Sequence, residues 1–274
     1  DQVIEVDKKK PDGYARALEQ ILLLKPDLIV SPHRSFRTAT WVWRASPLYS
    51  VGYSDFWSFF AYKQKVRRPQ FLHDVYRQLM LLQGLGVDTS KLSGDLVSVR
   101  VNMPHNPKFA SYKGAVVLAP GSQWNTKRWT PEGFTELARM LVRQGEKVLM
   151  VGSPEEKTLC DHIASQVPEM KNLCGTTTIV ELAQVIQEAR VLICNDSGTM
   201  HVATSVGTPV VAIFGPTVPA QGYSPWGEKA KILEVQLPCR PCGAHGHNEC
   251  PIGTHACMKK VLPENVLTAA SEYR

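Results

Sequence analysis

Apolar residues recur in short continuous runs separated by amphipathic stretches, the pattern of buried parallel strands alternating with helices. Residues 114–119, 147–151, 190–194 and 210–214 read as buried strands, with a further run at 27–30. After the first of these, Thr130 and Pro131 suit an N-cap and first helical position, and Phe134, Leu137, Ala138, Leu141 and Val142 supply an apolar stripe. Thr178 and Glu181 form a capping-box pattern that opens a helix to about Gln187, and residues 199–206 read as another helix, closed by Gly207. Residues 1–7 alternate as a strand would, and residues 96–101 read as the last strand of a first domain. The expected fold class is therefore α/β. A first domain spans residues 1–105 and a second domain spans 112–274, joined by the polar, Pro-containing stretch 102–113.

Composition narrows the class without changing it. The 274 residues are 43% hydrophobic and 20% charged, enough to bury two modest cores. The net charge of +6, from 31 Lys and Arg against 25 Asp and Glu, suits anionic small molecules or an anionic membrane face. No basic helix or stacking-rich module points to nucleic acid. No stretch reads as a secretory or membrane-spanning segment, and no internal repeat or low-complexity segment stands out.

Two strand-to-helix turns carry candidate chemistry. In Cys194-Asn195-Asp196-Ser197-Gly198-Thr199-Met200-His201, the residues Ser197, Gly198 and Thr199 fall where the first NH groups of a helix lack intrahelical partners and the helix dipole favours an anion. Asp196 at the strand end can accept from sugar or ribose hydroxyls, and His201 one turn later can donate to a phosphate or sugar oxygen. Asp196 and Ser197 equally suit a plain helix cap. The second turn, Pro120 to Trp129, carries Gly121, Ser122, Lys127 and Arg128 at another strand end, where ligands bind in open α/β sheets. Lys127 can place a compact charge on a diphosphate and Ser122 can donate to it, although a solvated loop accounts for a lone Lys as well. Glu156 follows the strand 147–151, placed for ribose hydroxyls or for complementing a helix dipole. Thr217, after the strand 210–214, is a secondary candidate for the same ligand.

These motifs resemble glycosyltransferase family nine, the ADP-heptose:lipopolysaccharide heptosyltransferases. The resemblance rests on Pro120-Gly121-Ser122 with Lys127-Arg128-Trp129, on Asp196-Ser197-Gly198-Thr199-Met200-His201, and on Gly207-Thr208-Pro209 leading to Phe214-Gly215-Pro216-Thr217, and it extends over essentially the whole chain. It implies a GT-B architecture of two Rossmann-like domains facing across a cleft, and inverting transfer of heptose from ADP-heptose to the lipopolysaccharide inner core. It implies donor phosphates held by Ser122 and Lys127, the latter stabilising the leaving diphosphate; a donor turn at Asp196, Ser197, Gly198 and His201; and Glu156 reaching the adenosine ribose. The implied partners are an ADP-sugar and a lipid-linked Kdo/heptose acceptor at the cytoplasmic face of the inner membrane, met peripherally. No cofactor is implied. The family's catalytic base sits in a Gly-Asp loop after an opening strand, which this chain does not show, so about 50 to 70 residues, two strand–helix units, are expected ahead of Asp1 and the first domain is expected to be incomplete. By that expectation the chain alone binds donor without transferring sugar. The alternatives are a relative that uses another nucleotide sugar and a non-catalytic sugar-nucleotide-binding module.

Arg34 and Arg37 follow the strand 27–30, where the resemblance directs basic residues to the acidic acceptor; solvated surface arginines are the plainer account. Residues 55–60, rich in Phe and Trp, precede Lys63, Lys65, Arg67 and Arg68, a pattern that fits an anionic membrane headgroup region or a buried helix with a basic exit. Cys239, Cys242, Cys250 and Cys257, within the segment 239–257 that also holds His245, His247 and His255, are expected as a structural thiol cluster, with zinc at those four cysteines the second reading. Cys160, Cys174 and Cys194 read as core thiols.

Overall fold

In a computed structural model, residues 2–91 and 100–273 are described. The chain divides into two compact units, residues 1–93 and 94–274. The expected strand at 96–101 falls almost wholly outside the described residues.

The first unit carries a parallel sheet in the order β1-β2-β3, with β1 at Leu28–Ser31, β2 at Tyr49–Tyr53 and β3 at Gln64–Val66. The helices α1 (Gly13–Leu24), α2 (Phe36–Ala45), α3 (Ser58–Ala61) and α4 (Asp74–Leu79) connect and flank these strands. Ser35 caps α2 through its hydroxyl, which accepts from Thr38 N at 3.2 Å. Gly52 is required because the Tyr62 ring lies on it: a Cβ there would stand 2.5 Å from the ring. Residues 2–7 are not a strand, contrary to their alternation. None of them is buried, Val3 is 84% exposed, and the Asp7 carbonyl instead accepts from Lys10 N, turning the chain into α1. Alternation makes a strand only where a neighbouring strand and a core face accept it.

The second unit is a six-stranded parallel sheet, β6-β5-β4-β7-β8-β9, formed by β4 (Val116–Ala119), β5 (Val148–Met150), β6 (Lys171–Asn172), β7 (Val191–Asn195), β8 (Val210–Phe214) and β9 (Ala230–Glu234). Its helices are α5 (Pro131–Arg143), α6 (Lys157–Ala164), α7 (Ile179–Glu188), α8 (Gly198–Val206), α9 (Ala256–Lys259) and α10 (Pro263–Ser271). The central strands are continuous apolar runs because both faces are covered. Val116, Leu118, Val191, Ile193, Val211 and Ile213 face a core shared with α5, α6 and α10, while Val117, Leu192, Cys194 and Ala212 face another shared with α7 and α8. Both expected caps are present: the Thr130 hydroxyl accepts from Gly133 N at 3.0 Å, and Thr178 and Glu181 complete a capping box. The strand order is the doubly wound one, and it reverses between β4 and β7.

Residues 102–113, expected as a free linker, are fastened to the second unit. Met103 N and O pair with the Gln187 side chain, the Gln184 amide reaches both Asn106 and the Pro104 carbonyl, and Phe109 is buried in the α7–α8 core. Polar composition hid this because the strap docks mainly through hydrogen bonds to helix side chains.

Candidate functional site

Ligands in doubly wound sheets bind beyond the carboxyl ends of the strands at the point of reversal. In this chain those ends belong to β4 and β7, the strands that lead into the two turns singled out in the sequence.

Lys127 closes a one-turn 3-10 segment, Asn125–Lys127, and its Nζ donates to Asp196 Oδ2 at 2.7 Å, with both side chains nearly buried. Thr217 Oγ1 donates to the same oxygen at 2.5 Å, and Ser122 Oγ donates more weakly, at 3.4 Å, to the Asp196 carbonyl. Asp196 and Thr217, expected to face a ligand, are thus directed chiefly at Lys127 and at each other. A nearly buried cation held by a carboxylate that a hydroxyl in turn anchors is fixed in position, which is what recognition of a diphosphate needs.

The plain-cap account of the β7–α8 turn does not hold. Ser197 is the N-cap residue by position, yet its side chain makes no cap hydrogen bond, and Asp196 is turned to Lys127. Ser197 Oγ is buried and has no hydrogen-bond partner. Ser197 thus leaves the start of α8 without its side-chain cap, and its own hydroxyl stands beside those NH groups, an arrangement suited to an anion. Gly198 is exposed and a Cβ there would meet nothing within 4 Å, so the turn is open; Thr199 is half-buried and His201 exposed on the first turn of α8.

Glu156 is tied to its own turn and lies against the neighbouring one. Its carboxylate accepts from Ser153 N at 2.8 Å and closes a capping box, and it also lies on Gly121, where any Cβ would collide with it. The cavity beside Lys127, about 230 Å³, is lined by Asp196, Phe214, Thr217, Gln221, Tyr223 and His245 among others. Ser122, Glu156 and His201 are not among its lining residues.

Sequence reasoning passed over Asn195. Fully buried at the end of β7, it accepts from Trp129 N at 2.9 Å and donates to the carbonyls of Pro120 at 2.8 Å and Gly121 at 3.3 Å, clasping one candidate turn to the other. The signal was a lone amide at the end of an apolar strand, which must find partners when buried. Arg240 was also missed. Its side chain is 2% exposed, and its guanidinium donates to the carbonyls of Gly215, Val235 and Thr217 and pairs with Glu234.

The Cys-rich segment forms one wall of the site. Thr126 exchanges hydrogen bonds with the His247 backbone, and its own carbonyl is bonded by His255 Nε2 at 2.8 Å, so this segment holds the turn that presents Lys127. Cys242 Sγ donates to the Cys239 carbonyl and Cys250 Sγ accepts from His255 N; backbone NH groups of residues 252–255 hold the Cys250 thiol below its usual pKa, whereas burial raises those of Cys242 and Cys257. Among the described residues no group of three or more His, Cys, Asp or Glu is placed to hold a metal ion. Burial also pushes up the thiols of Cys160, Cys174 and Cys194, as expected of core cysteines.

In the first unit, Arg34 Nε lies 3.3 Å from Asp55 Oδ2 and remains half-exposed, and the Arg37 guanidinium stacks 4.0 Å over the Tyr14 ring. The two expected acceptor residues therefore have partners within their own unit.

Several heptosyltransferases are similar to the chain in sequence or in fold. It is 37% identical to lipooligosaccharide heptosyltransferase 2 of Campylobacter jejuni over 156 residues, 55% of this chain and 48% of that protein, so the match spans about half the relative's length. E. coli ADP-heptose lps heptosyltransferase II superposes with a TM-score of 0.77 at 19% identity, covering 95% of this chain and 80% of the other, and E. coli heptosyltransferase WaaC with ADP does so with 0.73 at 16%, covering 98% and 79%. These likenesses bear out the α/β fold of GT-B type. The model of glycosyltransferase family 9 (heptosyltransferase) matches residues 16–252, most of the chain, and the chain therefore belongs to glycosyltransferase family 9.

Proposed function

We propose that the chain is part of an inverting heptosyltransferase of the heptosyltransferase II type, which moves heptose from ADP-heptose to a hydroxyl of the lipopolysaccharide inner core at the cytoplasmic face of the inner membrane. The observation that carries this reading is the pairing, at the β4–β7 reversal, of a cation held by Asp196 with a helix terminus that receives no side-chain cap from Ser197 and beside which the Ser197 hydroxyl lacks a partner. Both stabilise negative charge, and the leaving group of such a transfer is a diphosphate. A relative solved with ADP supports a nucleoside diphosphate there. Lys127 and the α8 NH groups would take the phosphates, and Glu156 over Gly121 would face the ribose. No cofactor enters this scheme.

The acceptor hydroxyl also needs a base within hydrogen-bond reach. Asp196 Oδ2 already accepts from Lys127 and Thr217, so Asp196 acts here as a positioning residue and the base is a different carboxylate. Arg34 and Arg37 would meet the acidic acceptor, with Arg34 exchanging Asp55 for an acceptor carboxylate.

Calorimetric titration with ADP, followed by a transfer assay with ADP-heptose and a heptose-Kdo lipid A acceptor, tests the proposal. Expected are ADP binding that weakens on Lys127→Ala and, in the transfer assay of the whole protein of which the chain is part, a gain of heptose by the acceptor, read by mass. Wild-type ADP affinity in the variant would remove Lys127 from the donor site.

A further inference from the structure

The net charge of the chain lies in one place. Residues 28–73 contain seven Lys and Arg against a single acid, Asp55, whereas the other residues hold equal numbers of basic and acidic side chains. The same segment contains every exposed Phe and Trp among the described residues.

Several of these rings form a contacting row. Phe56 packs on Trp57 and Trp57 on Phe36, each pair 4.8 Å between centroids; Phe36 continues to Phe60 at 6.1 Å, and Phe60 to Phe59 at 5.2 Å. Phe56 is 77% exposed, Phe59 71% and Phe36 54%. The row runs from the start of α2 to α3, beside the carboxyl end of β2, where Arg34 pairs with Asp55. Contiguous exposed aromatics mark an interaction surface rather than ordinary scatter.

Charge decides which partner fits. A second copy would set one cationic segment against another, which is unfavourable. A bilayer with anionic headgroups offers both complements at once: a boundary at which aromatic rings settle between water and acyl chains, and negative charge for the surrounding bases. No helix among the described residues is long and apolar enough to cross a membrane, so the contact would be peripheral.

We propose that the row of Phe36, Phe56, Trp57, Phe59 and Phe60 seats this chain on an anionic lipid surface, with the bases of residues 28–73 supplying the attraction. The proposal deepens the functional reading above by naming the surface that meets the membrane, and its test is scored without sugar transfer, so either can fail alone.

The test is co-sedimentation of the full chain with phosphatidylcholine vesicles, with and without phosphatidylglycerol, for wild type and for a Phe56→Ser, Phe59→Ser double variant. Both positions are exposed, so the variant should fold, and circular dichroism with urea unfolding of the same preparation, beside wild type, reports on that. Binding is expected only to vesicles with phosphatidylglycerol, to fall with added salt, and to weaken at least about tenfold in the double variant with the urea midpoint unchanged. Indifference of the wild type to phosphatidylglycerol, or wild-type vesicle binding by the double variant, would overturn the proposal. So would a wild-type dimer in sedimentation equilibrium that the double substitution dissociates, since the row would then be a contact between copies.

Discussion

Lys127, Asp196 and Thr217 act as one unit, because a single carboxylate oxygen accepts from both the ammonium and the hydroxyl. Removing the cation by Lys127→Ala is expected to weaken ADP binding by roughly 1 to 3 kcal/mol, the range for a charged hydrogen bond, read by calorimetry. Asn195 bears on stability instead. Asn195→Ala strips partners from Trp129 N and the Pro120 carbonyl, and at about 1 to 3 kcal/mol per orphaned buried group the loss should appear in urea unfolding together with weaker ADP binding, as the two turns separate. An unchanged midpoint would mean that the clasp is dispensable. Gly121 gives a third test. Gly121→Ala drives a methyl into the Glu156 carboxylate, so ADP affinity should fall if that carboxylate meets the ribose, and adding Glu156→Ala should then produce little further loss. Additive losses would show that the two residues act separately.

At the level of elements, the strap 102–113 is tied to α7 by Lys108 Nζ, which donates to Glu181 Oε1 at 2.8 Å, while Glu181 Oε2 accepts from Thr178 N at 2.9 Å. The Lys108 hydrogen bond first, and the backbone bond second, pull Glu181 from its ordinary 4.5 to about 2. A carboxyl whose pKa is lowered by folding stabilises the folded state above its unfolded value and loses that contribution as pH falls. Wild type should therefore exceed Glu181→Gln in thermal stability at neutral pH, with the gap closing between pH 4.5 and about 2; a gap that persists at the acid end would discount the ion pair. The Cys-rich segment gives a second prediction at this scale. Its turn is held by Thr126 and the backbones of residues 239 to 255. Elemental analysis should find less than one zinc per chain, and chelation should leave Tm unchanged. One tightly held zinc per chain would make Cys239, Cys242, Cys250 and Cys257 ligands.

Across the whole molecule the two units differ in how much they bury. The second has two extensive cores on either side of its sheet, whereas the buried clusters of the first are small, Ala39, Val42, Ala61 and Tyr62 in one and Val51, Tyr53 and Leu81 in another. Hydrogen exchange should accordingly protect β4, β7 and β8 most strongly and release the amides of β1 to β3 at lower denaturant. Much of this architecture was legible in the amino-acid order. The strands β4, β7 and β8 and the caps at Thr130 and Thr178 depend on neighbours in sequence, through apolar runs or on hydroxyls one turn before an NH, and the two ligand turns announced themselves by their glycines, hydroxyls and Lys127. Residues 2–7 and the strap 102–113 misled, because alternation and polarity say nothing of whether a partner strand or an accepting helix is at hand. The sequence alone determined where the two strand-to-helix turns lie and which residues compose them. Tertiary structure decided what each of them does: Asp196 reaches Lys127 across 69 positions and Asn195 reaches Pro120 across 75, and long-range hydrogen bonds of this kind, unlike caps, leave no local pattern by which to be read.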